Sequence, residues 1–190
     1  MIKDMIIEHG APTLAGIKTG NIFSLKPDSE DYETEIREIN AVLGEKGLRL
    51  IPVRKTDKKM MVYLYRPDYL RRDLSAPEAE EILGEKGYPC GDMDCCIAEL
   101  VKHLATDEAF PHEIGLFLGY PPQDVKGFMK SPCEGVKCSG CWKVYSNESE
   151  ARRTFERFDR CRALYQNEAK KGKPLESLIV DTRKEDRLAV

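Results

Sequence analysis

The sequence has no long apolar run. No uncharged apolar stretch approaches the roughly 18 residues that span a bilayer, and no basic region followed by such a run opens the chain. We therefore expect neither membrane insertion nor export, and we predict a cytoplasmic protein. Seven cysteines, an odd number that includes the adjacent Cys95 and Cys96, fit reduced thiols in such a compartment better than a secreted disulfide framework.

The sequence also lacks an excess of basic charge and the common phosphate-binding motifs. Lys and Arg number 30 against 33 Asp and Glu, a formal net charge of −3, so no nucleic-acid partner is expected. Neither G-x-x-x-x-G-K-[ST] nor G-x-G-x-x-G occurs, which leaves nucleotide binding unsupported. Lys18 and Asn21 could place a cation and an amide at a strand end, where open α/β sheets receive anions. The simpler interpretation of Lys18 is a solvated strand-edge residue.

The length and the pattern of apolar residues predict one α+β domain. A chain of 190 residues can bury a core of its own without disulfides or metals. We predict a small mixed or antiparallel sheet of about four strands, packed with helices, over residues 1–173. Residues 174–190 are predicted to form a charged C-terminal tail that can fray.

Short β-compatible runs between turn residues predict strands at 13–18, 48–53, 60–65 and 142–145, the second and third joined as a hairpin. Apolar residues at helical spacing behind capping residues predict helices that begin near positions 28, 75, 92, 110 and 149, with a further short one at 123–129. Six residues on the apolar helix faces are predicted to be buried: Ile97, Leu100, Val101, Leu104, Phe155 and Phe158.

Three segments, 9–23, 110–128 and 138–145, together resemble an uncharacterised bacterial family known as domain of unknown function 3793. The second segment, FPHEIGLFLGYPPQDVKGF, is long and unusual enough to make the likeness specific, and the likeness extends from about residue 9 to about residue 165. The family implies no activity, cofactor or fold. Its members often have a Cys after the first His, whereas Gly10 follows His9 in this chain.

Four cysteines form the pattern that bears most directly on metal binding. The spacing Cys133-x4-Cys138-x2-Cys141, with Cys161 downstream, equals that of plant-type [2Fe–2S] proteins, and thiolates so spaced can also converge on zinc. The cofactor would then be zinc or an iron–sulfur cluster. Cys161, however, lies at helical spacing from Phe158, where a free Cys behaves as a small core hydrophobe. We expect packing to keep Cys161 in the core, so that at most three thiols share a site.

Cys138 and Cys141 also have the form of a redox pair. Such a pair needs a helix N-terminus or a nearby cation to lower the pKa of its first thiol, and a strand follows Cys141 in the predicted structure. Thiol chemistry at this pair is therefore the less favoured interpretation.

His112 and Glu113 form the most suggestive pair outside the cysteines. An imidazole at the start of an apolar helix can act as a base or a ligand, and a carboxylate is favoured there by the helix dipole. A purely structural role for both residues is the alternative. Because prolines define both ends of this helix, His112, Glu113 and Tyr120 are predicted to border one concave surface.

Three hypotheses about function follow. In the first, a cleft bordered by His112, Glu113, Tyr120 and Trp142 binds a small molecule or a metal ion. In the second, the protein is an enzyme with His112 as general base, assisted by Glu113 or Lys18. In the third, the apolar helix at 114–118 docks another protein, whose identity the sequence does not indicate.

Overall fold

The computed structural model describes residues 2–25, 32–56, 59–106 and 110–183. Within these ranges it contains nine helices, a three-stranded antiparallel sheet and a separate two-stranded ladder, which confirms the predicted α+β class. Its elements are α1 (Ile2–Leu14), β1 (Gly20–Leu25), α2 (Tyr32–Gly44), β2 (Arg49–Lys55), β3 (Met60–Tyr65), α3 (Pro67–Leu74), α4 (Pro77–Glu85), α5 (Met93–Thr106), α6 (Ile114–Phe117), α7 (Pro122–Lys130), β4 (Cys138–Ser139), β5 (Lys143–Val144), α8 (Glu148–Lys170) and α9 (Leu175–Leu178).

The chain groups into two compact units. Unit 1 comprises Met1–Asp68 with Phe158–Val190, and unit 2 comprises Tyr69–Arg157. Helix α8 contributes its first ten residues to unit 2 and the remainder to unit 1. The single domain over residues 1–173 stays a prediction.

Unit 1 is built on the three-stranded sheet, whose order is β1-β3-β2. The predicted hairpin is confirmed, because β2 and β3 pair antiparallel, and β3 lies at the centre with every residue except Met61 buried. The pairing of β2 shifts between Pro52 and Arg54, as expected where a proline lacks the N–H that a ladder needs. Helix α1 packs on β1 and β3, and α2 packs on β2 through Ile36, Ile39 and Leu43. The predicted caps of α2, Asp28 and Ser29, lie outside the described residues.

The strand predicted at 13–18 is wrong, because Thr13 and Leu14 close α1 instead. The apolar residues of this helix face the sheet, and its residue 10 lies so close to the sheet that a Cβ there would be 2.5 Å from Cδ2 of Leu64. Gly10 and Pro12, the turn residues expected to precede that strand, are both inside the helix. Gly16, at φ 72°, ends it, and Ile17 N donates to Pro12 O at 3.0 Å.

The described part of the charged tail is packed in unit 1. Leu175, Leu178 and Ile179 are buried in the core, and α9 contacts α1. The guanidinium of Arg66, which is 1% exposed, donates to the carbonyls of Leu14 and Val180 at 2.8 Å each. Further bonds from it reach the Thr13 carbonyl at 2.8 Å and the Thr182 hydroxyl at 3.0 Å. Residues 184–190 of the predicted tail lie outside the described residues.

Unit 2 packs α4 and α6 against α7, which also contacts β5. Helix α5 forms where it was predicted, with Ile97, Leu100 and Leu104 buried and Val101 half-buried. Two further residues of the predicted core lie on α8, where Phe155 of unit 2 is half-buried and Phe158 of unit 1 is buried. None of the helices in the described ranges combines the length and the apolar character needed to cross a bilayer.

Candidate functional site

A cavity of about 190 Å³ lies in unit 2, between the segment that leads into α6, helix α7 and the ladder strand β5. Most of its wall is aromatic or aliphatic, and four lining residues carry an ionisable group. The residues on which its chemistry depends are His112, Tyr120, Asp124, Phe128, Trp142 and Lys143.

Two sets of aromatic contacts shape the wall. The rings of Tyr120 and Trp142 stack with centroids 4.9 Å apart, and the rings of Trp142 and Phe155 form a T-shaped pair with centroids 4.6 Å apart. The second set joins His112 and Phe128, whose rings meet edge to face with centroids 4.9 Å apart. Such pairs favour a defined ring orientation beyond the area they bury, so the wall is formed by interlocked rings.

Asp124 holds the ladder against α7. Its carboxylate is buried, at 2% exposure, and accepts three hydrogen bonds: from Trp142 Nε1 at 2.7 Å, and from the backbone N–H groups of Tyr145 and Ser146 at 2.8 Å each. A buried carboxylate is stable only when its oxygens are so satisfied. The role of Asp124 is therefore to position Trp142 in the wall.

Two glycines allow the elements around the cavity to approach closely. A Cβ at Gly115 of α6 would lie 2.8 Å from Cγ2 of Val125 on α7. A Cβ at Gly127 of α7 would lie 2.5 Å from Cγ of the Tyr145 ring. Side chains at either position would push apart the elements that enclose the cavity.

Glu113 does not line this cavity. Its Oε1 accepts a hydrogen bond from the Tyr88 hydroxyl at 3.0 Å and lies 3.1 Å from Nδ1 of His103, whose Nε2 is 3.6 Å from Glu99. Burial is the main cause that raises the pKa of Tyr88 well above its usual range, and the negative charge of Glu113 adds to it. The phenol therefore stays neutral and donates its proton to the hydrogen bond with Glu113. The arrangement connects the turn before α5, helix α5 and the start of α6.

The structure thus brings together three of the four residues predicted to bind a ligand. His112, Tyr120 and Trp142 line one cavity, whereas Glu113 is turned to Tyr88 and His103. Lys18, the other candidate for assisting a base, belongs to unit 1, where its ammonium lies 5.9 Å from the centre of the Phe158 ring. Ligand binding by these residues and catalysis by His112 stay predictions.

The apolar residues of α6 are buried. Ile114, Leu116 and Phe117 are all at or below 6% exposure. The hypothesis of a docking helix at 114–118 depended on an exposed apolar face, and this face is part of the interior of unit 2.

The four cysteines predicted as metal ligands belong to different units. Cys133, Cys138 and Cys141 are in unit 2, on and around the β4–β5 ladder, while Cys161 is half-buried against the core of unit 1. Across the described ranges, no group of three or more His, Cys, Asp or Glu side chains is arranged to hold a metal ion. Zinc or iron–sulfur binding by these residues stays a prediction.

Sequence reasoning missed Asp124, Phe128 and Lys143 as parts of the site. Asp124 and Phe128 occur four residues apart on a helix that begins at Pro122, a spacing that places both on one face. Lys143 follows Trp142 directly. Nothing in the local pattern indicates that Asp124 is buried, because an acidic residue in a first helical turn is ordinarily solvated.

Comparison with known proteins agrees with the resemblance seen in the sequence. No curated protein and no solved structure matches the chain. The model of one family, described as protein of unknown function (DUF3793), matches residues 6–179. The match extends beyond the likeness seen in the sequence at both ends and includes α9. The chain therefore belongs to the DUF3793 family of proteins of unknown function.

Proposed function

We propose that the protein binds a small, planar, largely apolar molecule that carries one anionic group, in the cavity lined by Tyr120, Phe128 and Trp142. The single observation that carries this proposal is the aromatic wall around a cavity of about 190 Å³. Pockets for drug-sized ligands usually measure about 300–1,000 Å³. A ligand with one ring system is the size that this cavity suits.

The polar side-chain atoms of Tyr120, Asp124 and Trp142 are engaged within the protein. The Tyr120 hydroxyl donates to the carbonyl of Cys141 at 3.1 Å, and the Trp142 N–H donates to Asp124. Asp124 in turn accepts two backbone N–H groups in addition. What these residues present to a ligand is ring face and ring edge, which supports an apolar, planar occupant.

Two groups beside Phe128 support an anionic substituent on that ligand. The Lys143 ammonium lies 5.6 Å from the centre of the Phe128 ring and donates to the carbonyl of Pro132 at 2.8 Å, which uses one of its three protons. His112 contacts the same ring and is exposed at the rim. A carboxylate that enters beside Phe128 would meet a cation and an imidazole.

Intrinsic fluorescence tests the proposal, because Trp142 is the only tryptophan in the chain and lies in the cavity wall. Benzoate and its uncharged analogue benzyl alcohol are titrated against the protein. We expect saturable quenching by benzoate with a Kd at least about tenfold lower than that of benzyl alcohol, a difference of about 1.4 kcal/mol.

Two variants and a matched control separate the contributions. Phe128→Ala should weaken both probes, since it removes part of the wall. Lys143→Met should weaken binding of benzoate alone. Lys130→Met, which removes an exposed charge at the end of α7, should change the binding of neither probe. Equal effects of the two Lys variants would overturn the anionic part of the proposal. The absence of saturable quenching by both probes would overturn the whole proposal.

A further inference from the structure

A second cysteine group lies at the start of α5, separate in sequence from the cysteines on and around the β4–β5 ladder. The connection from α4 to α5 carries Cys90, and the first turn of α5 carries Cys95 and Cys96. Cys90 and Cys96 both line a small cavity of about 50 Å³ that also includes Asp92 and Met93. Cys95 is exposed and is not among the residues that line it.

The sulfurs of Cys90 and Cys96 contact consecutive peptide carbonyls. Cys90 Sγ lies 3.6 Å from the carbonyl of Tyr88, and Cys96 Sγ lies 3.3 Å from the carbonyl of Pro89. Cys90 Sγ is also 3.5 Å from the carbonyl of Glu80 on α4. The same short stretch of backbone therefore holds both thiols, although five residues separate them in the sequence.

We propose that Cys90 and Cys96 form a reversible disulfide by exchange with a low-molecular-weight disulfide such as oxidised glutathione. In the first step the Cys90 thiolate attacks one sulfur of the small disulfide, whose S–S bond breaks and releases one thiolate. In the second step Cys96 loses its proton to solvent and attacks Cys90 Sγ, and the second small thiolate leaves. The protein loses two electrons and two protons, and the small disulfide becomes two thiols.

Exposure assigns the order of the two steps. Cys90 is exposed, so a small disulfide can reach it, whereas Cys96 is 2% exposed. Burial raises the pKa of the Cys96 thiol to about 11, which keeps it protonated at neutral pH and unreactive toward reagents in solution. Once Cys90 carries a mixed disulfide, the neighbouring Cys96 reacts within the molecule at high effective concentration.

Cys95 is the competing partner, and its surroundings disfavour it. Its backbone N–H donates to the carboxylate of Asp92 at 2.9 Å, in the first turn of the helix. The negative charge of Asp92 raises the pKa of the Cys95 thiol, which makes its thiolate rarer. Cys95 is also absent from the lining of the cavity that Cys90 and Cys96 share.

Peptide mapping tests the proposal on the intact chain. Reduced protein is freed of reductant, incubated with oxidised glutathione, alkylated with iodoacetamide and digested with trypsin. Residues 87–102 form one tryptic peptide with no internal Lys or Arg, and that peptide contains all three cysteines. We expect it to lose two hydrogen atoms and to carry a single alkyl group, located on Cys95 by fragmentation.

Two variants and a reaction in denaturant test whether the fold selects Cys90 and Cys96 as the pair. Cys95→Ser should still lose two hydrogen atoms, and Cys96→Ser should stop at a glutathione adduct on Cys90. The same reaction in concentrated urea should place the alkyl group on a mixture of cysteines, because the fold no longer selects a pair. An alkyl group on Cys90 or Cys96 in the native wild type, or a stable glutathione adduct with no internal disulfide, would overturn the proposal. Circular dichroism of each variant establishes that it is folded.

Discussion

Replacing Asp124 by Asn tests whether one buried carboxylate holds the cavity wall in place. Asn has nearly the same shape as Asp, and its remaining oxygen can still accept from the N–H groups of Tyr145 and Ser146. The amide nitrogen then takes the place of Oδ2 and faces the Trp142 N–H, which lies 2.7 Å from that oxygen in the native protein. Two donors would oppose each other across a short distance.

The expected loss follows from the lost bond and from the donor left without an acceptor. A hydrogen bond to a charged group contributes about 1.5–3 kcal/mol, and an unsatisfied buried donor costs about 1–3 kcal/mol. Because Trp142 is only half-buried, water relieves part of the second cost. We expect Asp124→Asn to lower the free energy of unfolding by about 2–3 kcal/mol. Asp124→Ala, which removes all three acceptor contacts, should lower it further.

Urea unfolding followed by far-ultraviolet circular dichroism measures this loss. The exposed Asp159, whose side chain is 67% accessible, provides a control: Asp159→Asn should change stability by less than about 0.5 kcal/mol. In a Trp142→Phe background the indole N–H is absent, and Asp124→Asn should then cost at least about 1 kcal/mol less. An equal cost in both backgrounds would refute the assignment of Asp124 to positioning Trp142.

Three further predictions concern packing and protonation. Arg66→Met removes the hydrogen bonds that the buried guanidinium donates to the carbonyls of Thr13, Leu14 and Val180, and it should lower the free energy of unfolding by more than about 3 kcal/mol. Hydrogen exchange at the Val180 amide, which donates to Leu14, should become faster; unchanged exchange would contradict this. Gly127→Ala should lower the free energy of unfolding by about 1–3 kcal/mol, because the added Cβ would meet the ring of Tyr145. Gly84→Ala, whose Cβ would have its nearest neighbour at 3.9 Å, should raise it by up to about 1 kcal/mol. Changes of the same sign for both variants in urea titrations would contradict the packing argument. Burial raises the pKa of Tyr165 to about 12, so between about pH 10 and 12 the unfolded chain releases this proton while the folded chain keeps it. The free energy of unfolding should therefore fall between about pH 10 and 12, and Tyr165→Phe should remove this part of the fall. Identical pH profiles of stability for the wild type and the variant would show that burial of the phenol does not contribute.

Local patterns predicted the elements whose signals are local. The β2–β3 hairpin follows from two apolar runs around a polar connection, and α5 and α8 follow from apolar residues at helical spacing. The pattern failed at α1, where Gly10 and Pro12 disfavour a helix when considered alone. Burial of the apolar face of α1 against the sheet outweighs that local preference. Gly10 is required because the helix lies so close to Leu64 that a side chain at this position would collide with it.

The sequence likewise predicted one part of the candidate site and not the other. Prolines and glycines around residues 110–122 indicated a bend with His112 and Tyr120 near it, since such residues restrict the backbone wherever they occur. The local sequence did not indicate which way His112 and Glu113 face. His112 lines the cavity, whereas Glu113, one residue later, is buried against Tyr88 and His103. Desolvating a carboxylate requires partners, and these come from segments 10 and 25 residues away.

By itself, then, the sequence determined the α+β class, the family and most of the helices and strands, because periodicity, caps and turn residues act over a few neighbours. Only the tertiary structure decided which polar groups are buried and with what. Asp124 bonds to residues 18 to 22 positions later, and Arg66 bonds to residues more than 50 positions before it and more than 110 after it. Those pairings depend on distances that exist only after the chain has folded, since a buried charge is stable only where distant segments supply its partners.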